Sequence, residues 1–318
     1  MKKFMSMILV AMMIVSLFAG CGSKADDGVT KVAIVQQLDH ASLDEIRTAI
    51  EAVLTESGIE YKSFNGQNDP STLNQIGAQV VSDGYDAIIP IATVAAQCMV
   101  TAADGKDIPI IYAACSDPES AGLTGMDNVT GTSDALNTKF IIDMMLAVNP
   151  DISCVGLLYS NSEINSETPI AEAKAYLDEK GISYLEKTGN AADEVITAAN
   201  ALVGRCDAVF TPTDNAIMNV AGTVADILNK AGIPHYTGAD SFVTAGSFAT
   251  CGVNYTELGT YTGKMAVDVL TNGEILPFHV MDGGIITVNS ETAAALNLDY
   301  TAFSSMANTV LEVTTAAE

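Results

Sequence analysis

From Lys31 onward the chain alternates between two hydrophobic rhythms. Residues 32–35 form a short, unbroken apolar run of the kind found in a strand buried on both faces. Leu43, Ile46, Ile50, Val53 and Leu54 then recur at helical spacing, and Ser57-Gly58 supply the stop. The same alternation predicts strands over 59–64, 87–91 and 108–113 and helices over 73–81 and 93–103. A βαβα order needs crossover connections, so it predicts a parallel sheet with helices on both faces.

A second set of elements follows with matching punctuation. Val155-Gly156-Leu157-Leu158 answers Val32-Ala33-Ile34-Val35, and Gly181-Ile182-Ser183-Tyr184 answers Gly58-Ile59-Glu60-Tyr61 at the same interval from the first strand. Asp207-Ala208-Val209-Phe210 answers Asp86-Ala87-Ile88-Ile89, and Ile233-Pro234 answers Ile108-Pro109. These matches predict two similar α/β lobes. The first comprises 31–135 with about 255–280, the second 136–254 with about 281–314. The chain then crosses between lobes near 135–152, near 254 and near 278–283. A helix beginning at Tyr255, with Leu258, Tyr261, Met265 and Val269 on one face, returns to the first lobe, and 285–296 ends in the second. After Tyr300 the pattern weakens into Thr, Ala and Ser, and no element is predicted there.

Ahead of the repeat, Lys2 and Lys3 precede an apolar run over 5–18 and then Ala19-Gly20-Cys21. The run is too short for a permanent span and has the layout of a secretory signal over 1–20. Its end, Leu17-Phe18-Ala19-Gly20-Cys21, resembles a bacterial lipobox, which implies acylation of Cys21, a tether over 21–30 and an extracytoplasmic, membrane-anchored location. Buried acyl methylenes contribute about 0.8 kcal/mol each, enough for several chains to outweigh charge repulsion at the lipid surface.

That repulsion is real, because 14 Lys and Arg face 39 Asp and Glu for a formal charge of −25. Nucleic-acid binding is excluded on the same ground, since its affinity comes from cations that displace condensed counterions. Attachment to the membrane is therefore expected through the lipid alone. With 48% hydrophobic residues, the 318-residue chain can bury a substantial core. Cys98, Cys115, Cys154, Cys206 and Cys251 show neither CxxC spacing nor a Cys/His cluster, so they read as small buried residues, with no metal site and no disulfide framework. No nucleophile elbow, phosphate-binding glycine loop or zinc-protease motif occurs, which argues against an enzyme, and no cofactor is implied.

In open parallel sheets, ligands bind beyond the carboxyl ends of the strands. The candidates lie at those ends: Gln36 after the first strand, Thr93 and Ala95 at the start of the helix over 93–103, Ser116 and Asp117 after the fourth strand. In the second lobe they are Tyr159, Ser160, Glu163, Asn165 and Ser166, then Thr213, Asp214 and Asn215, then Asp240. Any of them could be a simple helix cap. Their joint placement on two lobes points to a cleft. Tyr85, Tyr112, Tyr159, Tyr236 and Tyr255 could stack on a ring or pack in the core.

Several of these segments together resemble one family: QQLDHASLD (36–44), IATVAAQ (91–97), CSDP (115–118), NVTGTSD (128–134), YSNSEINS (159–166), PTDN (212–215) and GVNY (252–255). They are similar to the substrate-binding lipoproteins of ABC transporters of the tryptophan/tyrosine uptake group. The resemblance implies a type I, ribose-binding-type periplasmic-binding-protein-like fold. It also implies an aromatic amino acid as ligand, and ABC permease and ATPase subunits as partners. A non-aromatic amino acid, nucleoside or sugar as ligand, or a sensor feeding a membrane receptor, are the competing functions on the same fold. For a zwitterionic amino acid, the helix start at Thr93 with Ser116 offers donors for the carboxylate, which assigns that end to the first lobe. Asp214, Asp240 and Glu163 offer acceptors for the ammonium, which assigns the other end to the second.

Overall fold

The computed structural model describes residues 30–316, and the compact body begins at Lys31. The leader, Cys21 and most of the tether lie outside the described residues. Among those that are described, no helix is long and apolar enough to cross a membrane.

The first half runs β1 (Lys31–Gln36), α1 (Ala41–Glu56), β2 (Glu60–Asn65), α2 (Pro70–Asp83), β3 (Ala87–Ile91), α3 (Thr93–Ala102), β4 (Ile110–Tyr112) and β5 (Val129–Ser133). The second runs α4 (Thr138–Val148), β6 (Cys154–Tyr159), a 3-10 turn (Ile164–Ser166), α5 (Glu167–Lys180), β7 (Ser183–Thr188), α6 (Ala192–Asn200), β8 (Ala208–Thr211), α7 (Asn215–Met218), α8 (Ala221–Lys230), β9 (His235–Thr237), α9 (Asp240–Thr244) and β10 (Ala249–Gly252). Then come α10 (Tyr255–Asn272), β11 (His279–Val280), β12 (Ile285–Asn289), α11 (Ser290–Ala295), α12 (Phe303–Met306) and β13 (Thr309–Val313).

Two sheets result, ordered β11-β5-β4-β3-β1-β2 and β13-β12-β10-β9-β8-β6-β7. The strand pairs are parallel except β10 with β12. The repeat read from sequence holds at the level of register. Val32 pairs with Tyr61 and Ala87, as Val155 pairs with Tyr184 and Ala208. Burial explains why the paired strands differ in composition. The interior strand β1 is almost wholly buried, whereas β2 and β7 are sheet edges with mostly exposed or half-buried side chains, which tolerate Glu and Lys.

The chain leaves the first sheet after β5, returns to that lobe after β10, and leaves again after β11. Helix α10 follows a strand of the second sheet but packs on α1, and glycine makes the approach possible. A Cβ on Gly259 would sit 2.5 Å from the Ile46 carbonyl oxygen and 2.8 Å from the Ala49 Cβ. Leu258, Met265 and Val269 are buried on this face, but Tyr261 is 41% exposed and stacks on His279 with ring centroids 4.2 Å apart. The weakly patterned tail is ordered. Phe303 is buried in the second lobe's core, β13 adds an edge strand beside β12, and the Ala316 N–H donates to the Thr244 carbonyl. Of the five cysteines named above, Cys115, Cys206 and Cys251 are buried, Cys98 and Cys154 are half-buried, and all are free.

Candidate functional site

The carboxyl ends of the two sheets meet across a small cavity lined by both lobes. The first lobe supplies His40, Ser42 and Leu43 from the start of α1, Ala92 and Thr93 after β3, Ala114 and Ser116 after β4, Asp134 after β5, and Tyr255. The second supplies Asn165, Thr213, Asp214, Asn215 and Met218 around β8 and α7, and Ala239, Ser241 and Phe242 after β9.

The lobes are closed on each other. Gln37 Nε2 donates to Glu163 Oε1 at 2.8 Å, and Ser42 Oγ donates to Asp240 Oδ1 at 3.1 Å. Ser116 and Thr213 share a hydroxyl bond of 2.9 Å, and Thr168 Oγ1 donates to Asp117 Oδ2 at 2.6 Å. His40 Nε2 lies 3.2 Å from Asn215 Oδ1.

Three features of the wall point to a charged guest. First, α3 starts without a side-chain cap, so the N–H groups of its opening turn are available to an anion. The backbone entering it is unusual: Ala92 has φ 77° and Ala114, on the neighbouring strand end, has φ 53°. Left-handed conformations cost a non-glycine residue about 1–3 kcal/mol and cluster at ligand sites. Second, Asp134 is buried and accepts bonds from Ser116 Oγ at 2.9 Å and Tyr255 OH at 3.3 Å. Burial pushes its pKa up, those bonds pull it back, and no cationic side chain among the described residues offsets its charge. Third, Asn165 donates from Nδ2 to the Thr213 carbonyl at 2.6 Å, leaving a buried Oδ1 with no partner.

The polar residues singled out from sequence divide into two sets. Thr93, Ser116, Asn165, Thr213, Asp214 and Asn215 are on the wall. Asp214, however, has both oxygens engaged: Oδ2 accepts from the Ser160 N–H and Ser166 Oγ, each at 2.7 Å, and Oδ1 caps α7 through the Ile217 N–H at 3.0 Å. Glu163 stands behind the wall, with Oε1 on Gln37 and Oε2 accepting from Asn215 Nδ2 at 3.0 Å. Burial, and then the charge of Asp214, push its pKa up to about 8. Asp240 is held by Ser42 outside the lining, and Asp117 is tied to Ser120 and Thr168.

Gln36 is consumed by Asp44, Arg47 and the Leu38 carbonyl, and the Ala95 side chain is core, leaving its N–H at the helix start. Tyr159 donates to Glu186, and Ser160 Oγ bonds Asn190 and Ser162. Of the five tyrosines, only Tyr255 reaches the cavity. The histidines stay apart. His235 is buried between Thr211 and Ser247, and burial lowers its pKa to about 3, while His279 stacks on Tyr261.

Sequence reasoning missed Asp134, Ser42, Leu43, Ala92, Ala114, Met218, Ala239, Ser241 and Phe242 as wall residues. The signal for Asp134 was its place at a strand end, masked by the polar composition of β5.

Residues 31–309 match the family model described as ABC transporter substrate binding protein. The "Tyrosine-binding protein" of Clostridioides difficile (strain R20291) is 31% identical over 322 residues, covering 93% of each chain. A Streptococcus pneumoniae ABC domain solved in complex with L-Trp superposes with a TM-score of 0.83 at 30% identity, covering 89% of this chain and all of that one. The ligand-free, open structure of a Clostridium difficile substrate-binding protein with adhesive properties gives 0.68 at 32% identity, covering 91% and 100%. Sugar-binding proteins and a transcription regulator at 12–15% identity share the type I periplasmic-binding fold alone. The chain thus belongs to the ABC transporter substrate-binding proteins, a family of non-enzymatic, extracytoplasmic solute binders.

Proposed function

We propose that the protein captures an aromatic amino acid between its lobes and hands it to an ABC permease, held at the membrane through a lipid on Cys21. The observation that carries the ligand class is the buried, cation-free carboxylate of Asp134, facing the same cavity as the uncapped start of α3. One anionic acceptor and one anion-binding helix start, on a single small cavity, form the complement of a zwitterion.

The ligand carboxylate accepts from the opening N–H groups of α3 and from the Thr93 hydroxyl. The ammonium donates to Asp134 Oδ and to the unpartnered Oδ1 of Asn165 in the other lobe. This differs from the assignment drawn from sequence, in which acids of the second lobe held the ammonium. Asp214 is engaged as a cap and Glu163 and Asp240 stand off the wall, so the first lobe holds both charged groups and the second adds Asn165. The side chain then lies among Leu43, Met218, Phe242 and Tyr255.

Hydrogen bonds to charged groups contribute about 1.5–3 kcal/mol each, and burial of a large side chain adds a similar amount. A few such contributions less the ordering cost give about −8 kcal/mol, a micromolar complex. The two relatives whose names or titles specify tyrosine or L-Trp support the aromatic class. The better superposition on the L-Trp complex than on the open, ligand-free protein agrees with a closed cleft.

A thermal-shift screen of the purified protein against the amino acids, nucleosides and simple sugars tests the reading, because a ligand that binds the native state raises its stability by mass action. Stabilisation by tyrosine, tryptophan or phenylalanine is the expected result; stabilisation only by a sugar or nucleoside removes the assignment.

A further inference from the structure

One wall residue presents chemistry that an amino acid's charged end does not use. Asn215 Nδ2 donates to Glu163 Oε2 at 3.0 Å, so its Oδ1 is the acceptor that meets His40 Nε2 at 3.2 Å. That bond requires the proton of His40 on Nε2. Burial lowers the imidazole's pKa, which keeps the ring neutral and leaves Nδ1 as a bare lone pair. This Nδ1 is enclosed by protein and has no hydrogen-bond partner.

The position of His40 matters as much as its tautomer. Thr93 at the α3 start, Asp134 and Asn165 line the cavity alone, whereas His40, Met218 and Ser241 line both the cavity and the neighbouring surface groove. A ligand anchored by its α-amino and carboxylate groups therefore extends its side chain toward His40.

We infer that His40 selects for a side chain carrying a hydrogen-bond donor, so that a phenol or an indole is accepted in preference to a plain phenyl ring. The inference rests on the aromatic reading of the cleft and sharpens it. A phenolic O–H or indole N–H gives the imidazole nitrogen its missing partner. A phenyl ring leaves the acceptor buried and unpaired, and an unpaired buried polar group is the strongest basis for rejecting an analogue. The chain from His40 through Asn215 and Glu163 to Gln37 fixes the tautomer, so the preference is built into the contact between the lobes.

Calorimetric titration of the purified protein with L-tyrosine, L-tryptophan, L-phenylalanine and 1-methyl-L-tryptophan tests this. Tyrosine or tryptophan should bind about tenfold to a hundredfold tighter than phenylalanine, and methylation of the indole nitrogen should remove any advantage of tryptophan. His40→Leu should erase the preference. His40→Asn, whose Oδ1 stands close to the position of the imidazole Nδ1, should keep it. Phenylalanine binding as tightly as tyrosine and tryptophan overturns the inference while leaving the aromatic reading intact, as does a preference unchanged in His40→Leu. Failure of all four ligands to bind overturns both.

Discussion

Gln37 of the first lobe and Glu163 of the second meet in a 2.8 Å hydrogen bond across the closed cleft, with Asn215 holding the other carboxyl oxygen. Glu163 thus receives donors from both lobes, yet it is buried beside Asp214 and its pKa stands near 8. Opening the cleft removes Gln37 and admits water, which returns the group toward an ordinary carboxyl. A carboxyl whose pKa is raised in the closed form favours that form when protonated. The contribution is complete below the ordinary carboxyl range and is lost as pH rises through about 8. Ligand affinity should therefore fall as pH rises from about 5 to about 8, by at most about tenfold per pH unit, and level off above that, and Glu163→Gln should flatten the profile. Titration calorimetry across that range checks it, and a profile identical in the two proteins rejects the linkage.

Asp134 and Asp214 should separate by phenotype. Asp134→Asn removes the proposed partner of the ligand ammonium and should weaken binding by about tenfold to a thousandfold, since charge-assisted bonds and an unpaired buried charge are both involved. Asp214→Ala removes a helix cap and two loop bonds, and should lower stability by about 2–4 kcal/mol. Parallel calorimetric and denaturation measurements distinguish the two, and equal affinity in Asp134→Asn removes that residue from the site.

Gly259 should be intolerant of side chains. Its would-be Cβ meets the Ile46 carbonyl and Ala49, so Gly259→Leu must push α10 away from α1, at a cost of about 1–3 kcal/mol or more. Urea unfolding measures the loss; a midpoint equal to that of the unaltered protein would contradict the packing.

Closure should depend on contacts outside the ligand. Thr168→Val deletes the 2.6 Å bond to Asp117 and should shift the unliganded protein toward open forms, seen as a larger radius of gyration in X-ray scattering. Saturating ligand should restore the compact value.

The proposed lipid on Cys21 has its own test. Cys21→Ser should abolish incorporation of a labelled fatty acid and release the protein from the membrane fraction, whereas retention with no change in labelling would remove the anchor.

The sequence carried the architecture because the interior strands β1 and β6 are written in apolar residues. Val32 and Val155 head runs that no surface segment could hold, and their partners Tyr61 and Tyr184 recur at one interval. The rule that sites lie at strand ends also placed Thr93, Ser116, Asn165 and Thr213 on the wall. Which acids would line the cavity without a helix-capping role was not legible. Asp134 follows VTGTS, a strand whose Thr and Ser side chains are buried and whose Thr132 hydroxyl meets Thr262 of the distant α10. Conversely, Asp214 and Glu163 looked free in one dimension, and only the fold supplies Ser160, Ser166 and Gln37 to engage them. Strand β13 was invisible because its short run, TVLEV, sits at a sheet edge with most of its side chains exposed, so no buried face marks it.

Three separate stretches of chain join the lobes, and parts of all three, around Leu136, Gly252 and Gly283, border a single groove. Strips fastened side by side bend together about one line and resist twisting and sliding. The molecule's large-scale motion is thereby reduced to a single angle, so a membrane partner that touches both lobes need sense only that angle to learn whether the cleft is filled.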